Sequence, residues 1–389
     1  MTSRPFRFVF TLGIVSLFAD MTYEGGRSIA GPFLAHLGAT GLIVGFVAGF
    51  GELVGFGLRV ASGAAADRTR RYWTIAIVGY AINVLAVPAL ALARTWPVAG
   101  ALFIGERFGR GVRKPSVSAM IAHAGSQIGQ GWVFGFHEAM DQLGATIGPL
   151  IVAALLAFHD GFSRAFAVLV IPALLSLATL AVARRAYPSP GDLEKHAAPR
   201  FERFGRAYWL YVAAGACIAA GFADFALVSF HLSKAHVVAN ALVPVLYAGA
   251  MLLGALGAPI LGRMYDRSPL VTTLVAFGIA PLFAPLAFFG GEAVAIAGVA
   301  LWGVGMAAQE TLLVAILAGL VPASRRATAM GTFDGFYGVA WFAGSVIMGA
   351  LYDRHVLGLV IFSVVLQACA LPLLVIGRRA AEEAHPASA

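Results

Sequence analysis

Charge is scarce in this sequence. Only 12% of its 389 residues are Asp, Glu, Lys or Arg, against about 25% in a soluble globular domain. Cysteine is scarcer still, with Cys217 and Cys369 alone, and both sit in apolar stretches where packing is the ordinary role. That excludes a disulfide scaffold. No metal-ligand spacing, nucleophile elbow or phosphate-cradling loop occurs, so neither an enzyme, a metal site nor a cofactor is expected. What fills the chain is apolar: 60% of residues are hydrophobic and the mean hydropathy is +0.84. About 20 apolar residues span a bilayer's hydrocarbon core, and such runs cover nearly the whole chain, as in a protein embedded in a lipid bilayer.

Hydropathy predicts twelve membrane helices, over 6–35, 41–64, 72–93, 98–122, 130–157, 163–183, 207–231, 241–263, 270–289, 293–319, 328–351 and 356–377. They are called spans one to twelve. The N-terminal run lacks a small-residue cleavage site before Asp20 and reads as a retained first helix. One long polar segment separates spans six and seven, giving an N-terminal bundle over 1–183, a linker over 184–206 and a C-terminal bundle over 207–389.

The net charge of +8 does not point to nucleic acid, because the basic residues gather in alternate connections. Seventeen Lys and Arg lie in the connections on the side of the N-terminus, and four (Arg94, Arg164, Lys234 and Arg354) on the other. The excess places both termini and the linker in the cytoplasm of a cell whose inner membrane holds the chain.

The two halves repeat each other. Phe18-Ala19-Asp20 recurs as Phe222-Ala223-Asp224 at an offset of 204, Gly63, Asp67 and Arg68 as Gly262, Asp266 and Arg267 at 199, and Gly135 and Gly148 as Gly331 and Gly344 at 196. The expected fold is all-α, two six-helix repeats in parallel orientation, with a binding site between them near the midplane.

Against this apolar background the exceptions matter. Five of the nine residues from Glu106 to Lys114 are charged: Glu106, Arg107, Arg110, Arg113 and Lys114. Each charge at bilayer depth costs at least ~2.5–3.5 kcal/mol, so span four must face water, a ligand or partner charges. Span one adds Asp20, Tyr23, Glu24 and Arg27, with Asp20 near the bilayer centre and Glu24 and Arg27 spaced as an ion pair. Span two adds Glu52 and Arg59, span five His137, Glu138 and Asp141, and the second half Asp224, Gln309, Glu310 and Asp334. Nine acids in the spans face six cations; the surplus suits a cycle in which carboxyls take up and release protons.

Three stretches resemble the major facilitator superfamily. Gly63-Ala-Ala-Ala-Asp67-Arg68-Thr69-Arg70-Arg71 is similar to its signature loop between spans two and three, one residue short and lacking the second glycine; Gly262 to Arg267 is a degenerate second copy. Gly144-Ala-Thr-Ile-Gly148-Pro149 resembles the G-x-x-x-G-P element of its antiporter branches, and Arg107-Phe-Gly-Arg110-Gly111 its R-x-x-Q-G element with arginine in place of glutamine. The resemblance implies gating by Gly63, Asp67, Arg68, Gly144, Gly148, Pro149, Asp266 and Arg267. It also gives Arg107 a role in proton coupling or in holding a carboxylate. Asp20, from its depth in span one, is the expected proton carrier, with Arg107 and Asp141 as its partners. Tyr23, Glu24, Arg110, Arg113, Lys114, Glu138, Asp224, Gln309, Glu310 and Asp334 are expected to contact substrate, Glu310 as a counter-charge to the span-four cations.

The reading is a monomeric secondary transporter of a small molecule, working by alternating access and exchanging protons for efflux. A proton- or anion-coupled importer of a carboxylate or phosphate compound is the alternative, and a non-transporting receptor a remote one. The topology is checked in cells, with both natural cysteines replaced by serine. A membrane-impermeant maleimide added outside should label His236→Cys and spare Ala198→Cys; the reverse pattern sinks the orientation.

Overall fold

The computed structural model describes residues 4–158, 161–187, 204–321 and 326–384. Among these no strand occurs, and helices fall on all twelve expected spans. Eleven are long and apolar enough to cross a membrane. The twelfth, Trp96–Ile128, is span four, and the charged run from Glu106 to Lys114 is what sets it apart from the rest. Most of the expected linker, like the side chain of Asp67, lies outside what is described.

Several spans are interrupted where the sequence reads as continuous. Span one runs as Arg4–Ser28 and resumes as Ala30–His36. Span seven breaks between Arg206–Gly221 and Phe225–Lys234. The break falls on Phe222-Ala223-Asp224, the tripeptide shared with span one. In span one the same tripeptide lies inside an unbroken helix. In span seven Asp224 is the N-cap of the second segment, and its carboxylate accepts from the Ala226 N–H at 2.8 Å. Such a bond satisfies a backbone donor that the helix start would otherwise leave unpaired. Span ten carries a π-helical turn, Gln309–Leu313, a feature that recurs at functional sites.

The chain forms two compact units. The first comprises Met1–Gly38, Phe50–Ala198 and Ala239–Ala248, the second Ala39–Gly49, Pro199–Val238 and Gly249–Ala389. Each therefore holds most of one sequence half plus a short segment of the other. Within the first unit, span one packs along spans five and six, and span three along span four. In the second, span seven packs along spans eleven and twelve, the same pairing one repeat later.

One of the two glycine pairs that repeat at an offset of 196, Gly148 and Gly344, explains that pairing. A Cβ on Gly148 would fall on the Met21 carbonyl of span one, and one on Gly344 would fall on the Ala220 carbonyl of span seven. Gly144 sits one turn before Gly148, where a Cβ would meet the Asp20 Cβ at 2.9 Å. Small residues let the two backbones approach this closely. Buried Leu12, Val15, Tyr80, Met120 and Leu180 fill the core of the first unit; Tyr208, Phe277, Leu312, Phe333 and Leu374 fill that of the second.

At the loop between spans two and three, span two ends at Thr69 and span three starts at Tyr72. Arg70 turns the chain with φ +54°, a left-handed conformation that glycine adopts without penalty. Arg68 is exposed, as are Asp266 and Arg267 of the second copy. Replacing Gly148 with alanine should lower stability by about 1–3 kcal/mol, the usual cost of overpacking. Gly135→Ala, where a Cβ meets nothing within 4 Å, should leave stability unchanged or raised. Thermal melting of the two purified variants checks both, and equal losses would contradict the packing account.

Candidate functional site

The charges of the first unit gather into one connected series. On span one, Glu24 lies 4.0 Å from the Arg27 guanidinium. Arg27 reaches Glu52 of span two at 3.2 Å, and the same Glu52 oxygen binds Arg107 of span four, also at 3.2 Å. Arg107 Nε then meets Glu106 at 3.4 Å. From Glu106 the series crosses to span three, where Asn83 Nδ2 donates to Glu106 Oε1 at 2.7 Å. Arg113 Nε donates to Asn83 Oδ1 at 3.1 Å, and Arg113 Nη2 lies 3.5 Å from Asp20. Asp20 is one helical turn before Glu24, so the series returns to the span where it began and is called the ring.

Burial gives this ring its character. Asp20, Glu24, Glu106, Arg107 and Arg113 are all buried. An isolated ion in that setting carries a desolvation penalty of several kcal/mol, and only good geometry with further hydrogen bonds offsets it. The ring supplies those bonds from neutral side chains too. The Tyr247 hydroxyl donates to Glu24 Oε2, Asn83 joins two charged groups, and the Tyr80 ring lies under the Arg113 guanidinium at 4.4 Å.

Arg110 differs from its neighbours. Its guanidinium stacks over the Tyr23 ring at 4.7 Å, yet among the described residues it has neither an ion pair nor a hydrogen bond. The ring holds four carboxyls (Asp20, Glu24, Glu52 and Glu106) and three guanidiniums (Arg27, Arg107 and Arg113). Arg110 is the fourth cation. It balances the total without being held by any one acid.

The expected assignments shift accordingly. Of the residues expected to couple protons, Arg107 is held by Glu52 and Glu106, and it is Arg113 that lies beside Asp20. The predicted pairing of Glu24 with Arg27 is present, drawn further into the ring by Glu52. Lys114 is exposed and stands outside the ring, because span four turns Arg107, Arg110 and Arg113 inward and Lys114 away. Arg59 lies over the Phe56 ring at 4.6 Å. On span five, Asp141 is 3.8 Å from His137 Nε2, and exposed Glu138 accepts from Gln142 Nε2 at 2.9 Å.

The candidates of the second unit are placed differently. Asp224 is committed to its capping bond. Gln309, in the π-turn, accepts from the Tyr337 hydroxyl at 2.7 Å and donates to the Gly305 carbonyl at 3.2 Å. Glu310 is exposed and Asp334 half-buried. A cavity of about 670 Å³ lies at the far end of span one, lined by Phe33, His36, Arg94, Phe162 and Ser163 among others, and no ring residue lines it.

Asn83, Tyr80 and Tyr247 are the functional residues that the sequence reading missed. Asn83 carried a signal, as a carboxamide in an otherwise apolar span whose buried polar atoms need partners. Tyr247 carried none, since its partner lies 223 residues away.

The ring predicts contrasting variants. Glu52→Gln weakens the hold on two guanidiniums at once and should cost about 3–5 kcal/mol, as when a buried pair loses one partner. Arg110→Gln should cost less than about 2 kcal/mol, the upper range of a desolvated cation–π contact. Denaturant unfolding in detergent measures both, and equal losses would count against the ring.

The model of the Major Facilitator Superfamily matches residues 12–345 and again 246–389. An uncharacterized protein of Mycobacterium tuberculosis (strain ATCC 25618 / H37Rv) is 41% identical over 376 residues, covering 95% of this chain and 92% of its own. Another, of Mycobacterium bovis (strain ATCC BAA-935 / AF2122/97), gives the same values. Among solved structures, the nucleoside transporter NupG matches with a TM-score of 0.79 at 13% identity, over 94% of this chain and 99% of its own. A POT family transporter in complex with 5-aminolevulinic acid matches at 0.78 and 13%, over 97% of each chain. A bacterial homolog of the human lysosomal transporter Spinster, inward-facing and unoccupied, matches at 0.71 and 14%, over 98% of each. At such identities these structures share the fold, and fold alone does not carry substrate. With twelve helical spans, repeated pairing in each unit and a family match along nearly its whole length, the chain belongs to the major facilitator superfamily.

Proposed function

We propose that this secondary transporter moves a small molecule bearing an anionic group, coupled to protons, with Arg110 as the ligand for that group. The observation that carries the reading is the contrast between Arg110 and its neighbours. Arg27, Arg107 and Arg113 are each paired with carboxylates of the ring, whereas Arg110, among the described residues, stacks on Tyr23 and feels Glu24, Glu52 and Asp20 only through space, with no ion pair or hydrogen bond to any of them. A planar guanidinium with its donors uncommitted is suited to bind a carboxylate or phosphate in bidentate fashion.

Charge balance supplies the coupling. With four carboxylates and four guanidiniums the site is neutral, and an anion entering alone would leave a buried net charge. A proton on one ring carboxyl restores neutrality when the anion binds. Asp20 is the acid best placed to accept it, because its hold is the weakest. Its one ion pair among the described residues is Arg113 at 3.5 Å, whereas Glu52 binds two guanidiniums at 3.2 Å. Glu106 and Glu24 each have a hydrogen-bond donor besides their arginine.

Anion and proton then bind together, which favours cotransport and, under an inward proton gradient, uptake. The expectation of efflux rested on Gly144, Gly148 and Pro149. Close packing of span five on span one accounts for the two glycines, so they supply no argument for direction. We take the inner membrane and cytoplasmic termini from the charge asymmetry of the connections.

The test is a thermal-shift screen of short carboxylates, dicarboxylates, inorganic phosphate and phosphate monoesters on purified protein. Anions that bind the wild type should bind Arg110→Gln at least tenfold more weakly, with partial recovery in Arg110→Lys. In proteoliposomes holding a pH dye, the best of these anions should acidify the lumen when added outside, and Asp20→Asn should abolish the acidification. Unchanged anion affinity in Arg110→Gln would overturn the reading.

A further inference from the structure

We propose that His137 passes protons between the buried carboxyl of Asp20 and the accessible surface of the first unit, pivoting between Ser16 and Asp141. The inference rests on the proton-coupled reading above and assigns that coupling its route. Ser16 lies one turn before Asp20 on the same face of span one and is buried. Its hydroxyl is 3.3 Å from His137 Nε2, and the same nitrogen is 3.8 Å from Asp141 Oδ2. His137 Nδ1 is buried with no hydrogen-bond partner among the described residues. Most buried side-chain polar atoms have a partner, and an exception calls for an explanation; this ring is held at one nitrogen, which faces both Ser16 and Asp141.

Exposure rises along the series. The side chain of Asp20 is 6% exposed, that of His137 17% and that of Asp141 27%. Exposed Glu138 stands at the outer end. Gly144 holds span five against the turn that carries Asp20, which keeps the rungs aligned. The charged and titratable groups around the imidazole are Asp141 and Glu138 of its own span and Arg113 and Lys114 of span four, with the Ser16 hydroxyl on span one. Two acids and two cations thus surround it, and imidazole is the side chain suited to take up and release a proton.

The proton count closes. Asp20 gives up its proton and becomes a carboxylate. The Ser16 hydroxyl receives that proton across a gap of one helical turn, a distance that one water bridges, and releases its own hydrogen to Nε2. The imidazolium so formed turns to Asp141 and protonates its carboxylate, regenerating the neutral ring. Asp141 then loses the proton to water. No other group changes protonation state.

A relay sets the rate of proton transfer and leaves the equilibrium alone. The experiment follows the infrared carbonyl band of protonated Asp20 after a pH jump on purified protein without substrate; the band is the one missing in Asp20→Asn. In His137→Gln the band should reach its wild-type amplitude at least tenfold more slowly, and in His137→Gly added imidazole should restore the rate. Wild-type rates in His137→Gln, or no recovery with imidazole, would overturn the relay while leaving Asp20 as the coupling acid. Loss of the Asp20 band in His137→Gln would also overturn it, because the histidine would then be structural. Absence of any Asp20 band in the wild type would remove the coupling reading itself.

Discussion

Glu52 is the point on which the rest of this site depends. One carboxylate oxygen lies 3.2 Å from each of two guanidiniums, Arg27 on span one and Arg107 on span four. A charge at this depth faces the bundle interior or a water-filled cavity, or pairs with another charge. Glu52 pairs with two arginines and thereby ties three helices together. Remove it, and the spans that carry Asp20 and Arg113 lose their common anchor. The remaining contacts follow from the same constraint: Asn83 and Tyr247 are neutral, yet each satisfies a carboxylate that its arginine alone leaves with spare acceptor capacity.

Much of the fold was legible because a bilayer imposes strong rules. Backbone groups in lipid must be satisfied within helices, so hydropathy predicted all twelve spans. Close packing demands small residues, so Gly148 and Gly344 marked where spans five and eleven touch spans one and seven. The interruptions were not legible. Nothing in the apolar run of span seven distinguishes an Asp224 that caps a new helix from an Asp20 that continues one. The choice depends on neighbours that the sequence does not align.

The site was legible in kind but not in detail. Five charges in nine residues had to face inward partners or a cavity, and four of them do face inward. Which acid each arginine takes depends on the rotation of four helices about their axes, and Asp20 meets Arg113, six residues and nearly two turns beyond Arg107. The arginine that departs from the superfamily's R-x-x-Q-G element, Arg110, makes no ion pair among the described residues. Arg107, which matches the element, is held by two acids, Glu52 and Glu106. The position where this chain differs from its relatives' pattern is thus the position its own ring leaves open.

The central claim is that Arg110 balances the ring, so that an anion bound there must bring a proton with it. Calorimetric titration in buffers of different ionisation enthalpy counts that proton directly, using the anion that the wild type binds best. The account predicts close to one proton taken up per anion bound by the wild type, and none by Asp20→Asn. Binding with no proton uptake in the wild type, or with the same uptake in Asp20→Asn, would contradict it.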